Sequence, residues 1–157
     1  MILVAGIGNI FFGDDAFGSE VARRMAPRFM SGDVRVVDFN IRGLDLAFAL
    51  MDEYDRIVII DATRRGGAPG TIYVIEPDLH ELDSLIPAVE AHSLDPMRVL
   101  ALSRSMGAQL KNVRIVGCEP AALGADDDGC MGLSPAVAGA VDKAIEVIES
   151  LIQEALV

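Results

Sequence analysis

Residues 1–18 read MILVAGIGNIFFGDDAFG, and this stretch decides how the chain begins to fold. A short apolar run leads into Gly6 and Gly8, a pattern typical of a buried strand whose chain turns sharply at the edge of a sheet. The acidic pair Asp14 and Asp15 follows, where a helix should begin. Carboxylates at such a position can cap the helix, bind a metal, or do both. The stretch therefore predicts a strand, a glycine loop and a helix, with two acids at an exposed sheet edge.

A strand followed by a glycine loop also begins dinucleotide-binding folds. Their fingerprint requires Gly-x-Gly-x-x-Gly or Ala, but Phe11 stands at the third position of this chain. The acidic pair would also repel a pyrophosphate at the helix N-terminus. In favour of a nucleotide, Asp38 ends the second predicted strand, where a ribose-binding acid would lie. A dinucleotide-binding domain is therefore the less favoured alternative.

Size and charge limit the classes of function. With 157 residues, 52% of them hydrophobic, the chain is expected to form one domain over residues 1–157 with a full core. The net charge of −11 disfavours nucleic acid and anionic membranes and favours cationic partners such as basic peptides or metal ions.

The cysteines and the hydropathy pattern predict a location. Cys118 and Cys130 have no zinc-ligand spacing and indicate a reducing compartment. There is no signal-peptide pattern, and no apolar run reaches the ~18 residues that a membrane span needs. We therefore expect a cytoplasmic protein without a membrane partner.

Strands and helices are predicted to alternate along the chain. Strands are expected at residues 1–6, 34–39, 56–60, 71–76 and 112–117, and helices at 43–51, at 95–106, from Asp15 to an early end near Pro27, and from Ser134 onward. Alternation of this kind argues for a mostly parallel sheet with helices on both faces. The strand at 71–76 lies close enough to Asp61 to suggest a hairpin or an edge strand.

Helical periodicity predicts which side chains face the core. The predicted core positions are Phe17, Val21, Met25 and Phe29 in the first helix, Leu44, Ala47, Phe48 and Met51 in the second, and Val137, Val141, Ile145, Ile148 and Ile152 in the last.

Three candidate site residues are predicted to meet at one edge of the sheet. In open α/β sheets, ligands bind beyond the carboxyl ends of the strands, where the strand order reverses. The first strand leads to Asp15, and the third delivers Asp61 to the same edge if the two strands are parallel neighbours. The loop before the helix that begins at Asp95 delivers His92. Two carboxylates and an imidazole suit a borderline divalent metal. Ordinary structural roles are the alternative: a helix cap, a strand-end turn residue and an exposed loop residue.

The sequence contains few of the motifs that enzymes use for hydrolysis by a nucleophilic side chain. It contains no Gly-x-Ser-x-Gly elbow and no His-Glu-x-x-His helix, and neither cysteine has an obvious histidine partner in sequence. Any hydrolysis is therefore expected to use carboxylates, a metal, or both.

Five motifs occur in order along nearly the whole chain. They are Gly6-x-Gly8-Asn9 with Gly13-Asp14-Asp15-x-x-Gly18, Ile59-Ile60-Asp61-Ala62, Ala91-His92-Ser93-Leu94 followed by Val99-Leu100, Val116-Gly117-x-x-Pro120-x-x-Leu123, and Gly132-Leu133-Ser134-Pro135. Together they resemble the motifs of the [NiFe]-hydrogenase maturation endopeptidases. Their order and short gaps are far more specific than any single motif.

The resemblance implies a three-layer α/β/α sandwich whose five-stranded sheet is mostly parallel with one antiparallel strand, and residues 71–76 suit the odd strand. It implies an aspartyl-type or metal-dependent endopeptidase that removes a short C-terminal extension from the precursor of a [NiFe]-hydrogenase large subunit. The family's metal-contacting and catalytic positions fall on Asp15, Asp61 and His92. Asp38 also matches a family position, but Phe39-Asn40 stands where the family often has a glycine pair.

The resemblance also implies where the metal comes from. Nickel is supplied by the substrate large subunit, and no tightly bound metal of the protease itself is expected. Free ligands on the protease would recognise nickel already inserted in the substrate, so that only a loaded precursor is cut. Water attack could be assisted by Lewis-acid polarisation or by a carboxylate base. The alternative from another class is a non-catalytic nickel-binding maturation chaperone that uses the same three ligands.

Overall fold

The computed structural model describes residues 1–85, 95–121 and 132–157. Its sheet contains five strands: β1 (Ile2–Ile7), β2 (Val34–Asn40), β3 (Arg56–Ala62), β4 (Ile72–Ile75) and β5 (Val113–Cys118). The α-helices are α1 (Phe17–Met25), α2 (Gly43–Ala49), α3 (Pro96–Ser105), α4 (Pro135–Ala138) and α5 (Val141–Leu156). Short 3₁₀ segments span Asp14–Ala16, Ala26–Arg28 and Leu79–Ser84.

The sheet is mixed, in the order β2-β1-β3-β5-β4. Neighbouring strands are parallel except β4, which is antiparallel to β5. The predicted five-stranded sheet with one antiparallel strand is therefore confirmed. The odd strand is an edge strand beside β5 and does not form a hairpin with β3.

Two apolar layers cover the two faces of the sheet. One layer packs α1 and α5 on the sheet through residues that include Phe17, Val21, Ile145 and Ile148. The other packs α2 and α3 through residues that include Leu46, Leu50, Val99 and Leu100. Helices on both faces confirm the three-layer α/β/α architecture. None of the helices in the described ranges is long and apolar enough to cross a membrane.

Helix α1 lies very close to the backbone of the central strands. A methyl group on Gly18 would come within 2.1 Å of the Ile60 carbonyl oxygen and 2.3 Å of the Ile7 carbonyl oxygen. A methyl group on Gly6 would come within 2.2 Å of the Gly18 carbonyl oxygen. The two glycines therefore let the helix start directly over the ends of β1 and β3, which is where the strand order reverses.

The predicted core face of α2 is wrong at three of its four positions. Leu44, Phe48 and Met51 are exposed, whereas Leu46, Ala47 and Leu50 are buried against the sheet. This helix carries two apolar stripes at helical spacing, so its periodicity cannot select the one that faces the sheet. The selection depends on the direction in which the chain leaves β2.

The other helices follow the sequence more closely. The first helix ends early at Met25, and a 3₁₀ turn that contains Pro27 follows. Asp95 caps α3 by accepting a hydrogen bond from the Met97 N–H at 2.9 Å, as the Asp-Pro pair predicts. The last predicted helix is divided into α4 and α5, but all five residues of its predicted core stripe are buried.

We expect Gly18→Ala to destabilise the protein by about 3 kcal/mol or more, because the added methyl would overlap two backbone carbonyl oxygens. Gly139→Ala is the control, since Gly139 has helical backbone angles and an added methyl would lie 3.3 Å from the nearest heavy atom. It should change the free energy of unfolding by less than about 1 kcal/mol. Urea unfolding measures both variants, and equal midpoints would contradict the close approach of α1.

Candidate functional site

A cleft of about 1050 Å³ opens at the carboxyl edge of the sheet. Asp15 and Asp61 both line it, together with Asp95 at the start of α3. Its other lining residues are Asn9, Phe12, Ile41, Ala62, Thr63, Arg64, Arg65, Ile75, Glu76, Pro77, Asp78, Glu81, Pro96, Met97 and Ile115. Two of the three predicted site residues therefore lie in one cleft.

Asp61 reaches the cleft because β3 is the parallel neighbour of β1. It is the penultimate residue of β3, and it is buried. Burial raises the pKa of this carboxyl well above its usual value of 3.8, and the negative charges of Asp15 and Asp95 raise it further. A hydrogen bond from the Ala62 N–H offsets part of this increase. The site thus favours the protonated form of Asp61, and a cation bound beside it would favour the carboxylate.

Asp15 contributes the second carboxylate from the turn before α1. Its Oδ2 accepts a hydrogen bond from the Asn9 N–H at 3.0 Å, which closes the glycine loop. Partial burial raises the pKa of Asp15, although this hydrogen bond acts in the opposite direction. Asp15 does not cap α1: the cap positions are Gly13 and Ala16, and neither makes a side-chain cap. The chain enters α1 through a 3₁₀ turn, so the carboxylate bonds back to the loop.

Asp14, next to Asp15, has a different role. Its buried carboxylate accepts hydrogen bonds from the Ala121 N–H at 2.8 Å, the Ser134 N–H at 2.7 Å and the Ser134 hydroxyl at 2.8 Å. These bonds connect the loop after β1 to the segments that follow β5 and precede α4. The acidic pair therefore divides into a structural residue and a residue that lines the cleft, a distinction that the sequence did not reveal.

Glu119 is a further buried acid that the sequence analysis missed. Its Oε1 accepts hydrogen bonds from the Arg65 N–H at 2.8 Å, the Gly67 N–H at 2.9 Å and the Tyr73 hydroxyl at 2.8 Å. Backbone donors, that of Arg65 first, hold the pKa of this carboxyl below its usual value. Glu119 thereby fixes the turn after β3, which forms one wall of the cleft. Its position directly after β5 was the available signal, because strand ends deliver side chains to this edge.

Phe39 and Asn40 occupy the positions where the family often has a glycine pair, and Asn40 provides the backbone conformation that a glycine would allow. It adopts φ 54°, a left-handed conformation that Asn tolerates, while Phe39 stays within β2 and is buried. Asp38 Oδ1 accepts a hydrogen bond from the Asn40 N–H at 2.9 Å, and the Asn40 carbonyl accepts one from the Gly8 N–H at 3.0 Å. Asp38 therefore supports the loop beside the cleft.

His92 lies outside the described residues, so its convergence with Asp15 and Asp61 stays a prediction. Cys130 and the acidic residues 126–128 also lie outside the described residues. Within residues 1–85, 95–121 and 132–157, no group of three or more His, Cys, Asp or Glu side chains is arranged to hold a metal ion. Burial raises the pKa of the Cys118 thiol to about 11, which disfavours this cysteine as a thiolate nucleophile.

Comparison with known sequences points to one family. The family model described as HycI, hydrogenase maturation protease, matches residues 19–151. The hydrogenase expression/formation protein HupD of Rhodobacter capsulatus is 31% identical over 147 residues, which cover 92% of this chain and 67% of that protein. The hydrogenase 2 maturation protease of Escherichia coli K12 is 28% identical over 160 residues, which cover 98% of this chain and 91% of that protein.

Solved structures agree with the sequence relatives. The hydrogenase maturating endopeptidase HybD from E. coli superposes with a TM-score of 0.76 at 26% identity, covering 98% of this chain and 93% of that one. The hydrogenase 2 maturation peptidase from a Thaumarchaeota archaeon gives a TM-score of 0.72 at 26% identity, covering 97% of each chain. The chain belongs to the hydrogenase maturation protease family, whose members are hydrolases of peptide bonds.

Proposed function

We propose that this protein removes the C-terminal extension of a [NiFe]-hydrogenase large-subunit precursor after nickel has been inserted. The observation that carries the proposal is the pair of crowded carboxylates, Asp15 and Asp61, in one cleft of a chain that belongs to this protease family. The names of its relatives, which include a hydrogenase 2 maturation protease and a maturating endopeptidase, support hydrogenase maturation as the process.

Nickel recognition is the part of the proposal that selects the substrate. Burial raises the pKa of both carboxyls, and the charge of Asp15 adds to the effect at Asp61. A divalent cation brought in by the precursor would offset the burial of the two carboxylates and the repulsion between them. A nickel-loaded precursor would therefore bind better than a precursor without nickel. We assign His92 as the third ligand, because an imidazole beside two carboxylates suits a borderline metal such as nickel.

The chemical step needs an activated water. Nickel can polarise the scissile carbonyl, or a carboxylate of raised pKa can accept a proton from the attacking water. The first route requires carboxylate ligands for the nickel, and the second requires one ionised carboxylate next to the peptide. The cleft of about 1050 Å³ has room for an extended segment of a substrate chain. We place the reaction in the cytoplasm, in agreement with the free thiol of Cys118.

Asp15→Asn and His92→Ala should each abolish cleavage of a nickel-loaded precursor while leaving the fold intact. Because burial raises the pKa of Asp15, Asp15→Asn should melt at or above the wild-type temperature at neutral pH. Asp15→Asn removes a charge in the cleft but keeps an acceptor for the Asn9 N–H. Mass spectrometry of the precursor before and after incubation measures cleavage, and thermal melting measures the fold. Either variant cutting at the normal rate would contradict its role in nickel recognition. A wild-type protein that binds the precursor without cutting it would be the chaperone alternative.

Asp14→Asn is the matched control for Asp15→Asn, because it makes the same substitution one residue earlier. An amide would present hydrogens to Ser134 and Ala121, whose groups at this site are themselves donors. We therefore expect a loss of about 2–3 kcal/mol in the free energy of unfolding. If Asp14→Asn and Asp15→Asn melt alike, the division of roles within the acidic pair is wrong.

The purified protein should contain no stoichiometric metal and should bind added Ni²⁺ weakly. Ligands that bind a metal held by another molecule leave coordination positions open, because the substrate supplies the remaining ligands. Elemental analysis of protein prepared without chelator, followed by calorimetric titration with Ni²⁺, measures both properties. One tightly bound zinc per chain would mean that the protease carries its own catalytic metal.

Asp61→Asn should melt at a higher temperature than the wild type at pH 7.5. The folded protein holds the proton on Asp61 more tightly than the unfolded chain does, because the folded-state pKa lies above 3.8. Stability is therefore lost as the pH rises from about 3.8 through the raised pKa, and Asn removes this loss. The difference in Tm should shrink towards pH 4. A Tm difference independent of pH would contradict the crowded-carboxylate description of the site.

A further inference from the structure

The outward face of α2 presents a row of apolar side chains to solvent. Leu44, Phe48 and Met51 recur at helical spacing and are 53%, 56% and 40% exposed. Ile41, which precedes the helix, is 47% exposed. These four residues are called the α2 stripe below. Leu44 and Phe48 lie in α2, and Ile41 and Met51 flank it in sequence. Single exposed apolar residues are ordinary, but four of them along one short segment indicate a surface that meets another molecule.

The α2 stripe is continuous with the cleft. Ile41 lines the cleft together with Asp15 and Asp61, and Phe12, which is 43% exposed, stands in the same lining. From there the stripe runs along α2 to Met51, which lies beside Gly107 just after α3. A molecule that enters the cleft can therefore remain in contact with the protein along this helix.

We propose that the α2 stripe docks the folded body of the large-subunit precursor while its C-terminal extension occupies the cleft. This inference rests on the proposed function, because a protein whose tail is cut in the cleft must place its remaining mass beside the mouth of the cleft. Docking there holds the tail near Asp15 and Asp61, which raises the effective concentration of the scissile bond. The interface is thus part of how one precursor is selected.

Charge around the α2 stripe defines the chemistry of the partner surface. Asp52 and Glu53 are exposed at its end, Asp45 is paired with exposed Arg42 at 3.4 Å, and the whole chain carries a net charge of −11. A complementary surface is apolar at its centre and basic at its rim. A second copy of this chain fits poorly, because a two-fold interface would bring the same acidic borders together.

The test compares two double variants in processing of nickel-loaded precursor. Leu44→Gln/Phe48→Gln removes the centre of the α2 stripe with residues that favour a helix. Met30→Gln/Leu156→Gln is the matched control, since these side chains are 87% and 50% exposed and Leu156 ends α5 on the other face of the sheet. We expect the stripe variant to raise KM about tenfold or more with kcat within about twofold, as for lost interface anchors. The control should leave both unchanged.

An unchanged KM in the stripe variant would overturn the proposal, and so would an equal increase in the control. Thermal melting verifies that both variants fold, which their exposed positions favour. Sedimentation velocity tests for a second copy: a wild-type dimer that the stripe variant dissociates, with an unchanged KM, would make the second copy the occupant and overturn docking of the precursor.

A binding experiment distinguishes failure of the proposed protease function from failure of the docking surface. If the wild-type protein cuts no precursor, equilibrium binding of the precursor to the wild type and to both double variants decides the inference. Binding that the stripe variant alone weakens about tenfold supports the docking surface without the protease activity. Equal binding by all three proteins, or no binding by the wild type, overturns it.

Discussion

The close contact of α1 with the central strands is the constraint on which the rest of this structure depends. Gly6 and Gly18 remove the side chains that would separate the helix from β1 and β3. The helix can then begin directly above the carboxyl ends of these strands, and the loop between β1 and α1 is bent over the point where the strand order reverses. Asp15 and Asp61 become neighbours because of this geometry, although they lie 46 positions apart in sequence.

A second set of interactions holds the surroundings of the site in place. Buried Asp14 joins the loop after β1 to the segments around Ala121 and Ser134, and buried Glu119 holds the turn after β3. Both acids have their charge satisfied by N–H and O–H donors, so they stabilise the fold. Asp15 and Asp61 show the opposite behaviour, because burial raises their pKa values. This contrast separates acids that stabilise the fold from acids held where their charge is disfavoured, a feature common at functional sites.

The α2 stripe is an exposed apolar surface that begins beside the cleft. A soluble helix normally buries its best apolar face, but α2 has two, and only Leu46, Ala47 and Leu50 pack on the sheet. The other row begins at the mouth of the cleft. The proposed docking of the precursor needs such a surface, because a cleft that binds only a tail contacts little of the partner.

The sequence by itself determined the alternation of strands and helices, the mostly parallel sheet, the end of the first helix near Pro27 and the cap at Asp95. These features depend on local rules: periodicity, capping and the restriction of backbone angles. It also singled out Asp15 and Asp61, because strand ends and glycine loops mark an edge. Only the tertiary structure decided that Asp14 is structural, that Glu119 fixes a turn, and that Leu44, Phe48 and Met51 face outward. Each of those outcomes depends on contacts between segments distant in the chain, and local periodicity carries no information about which of two apolar faces meets the sheet.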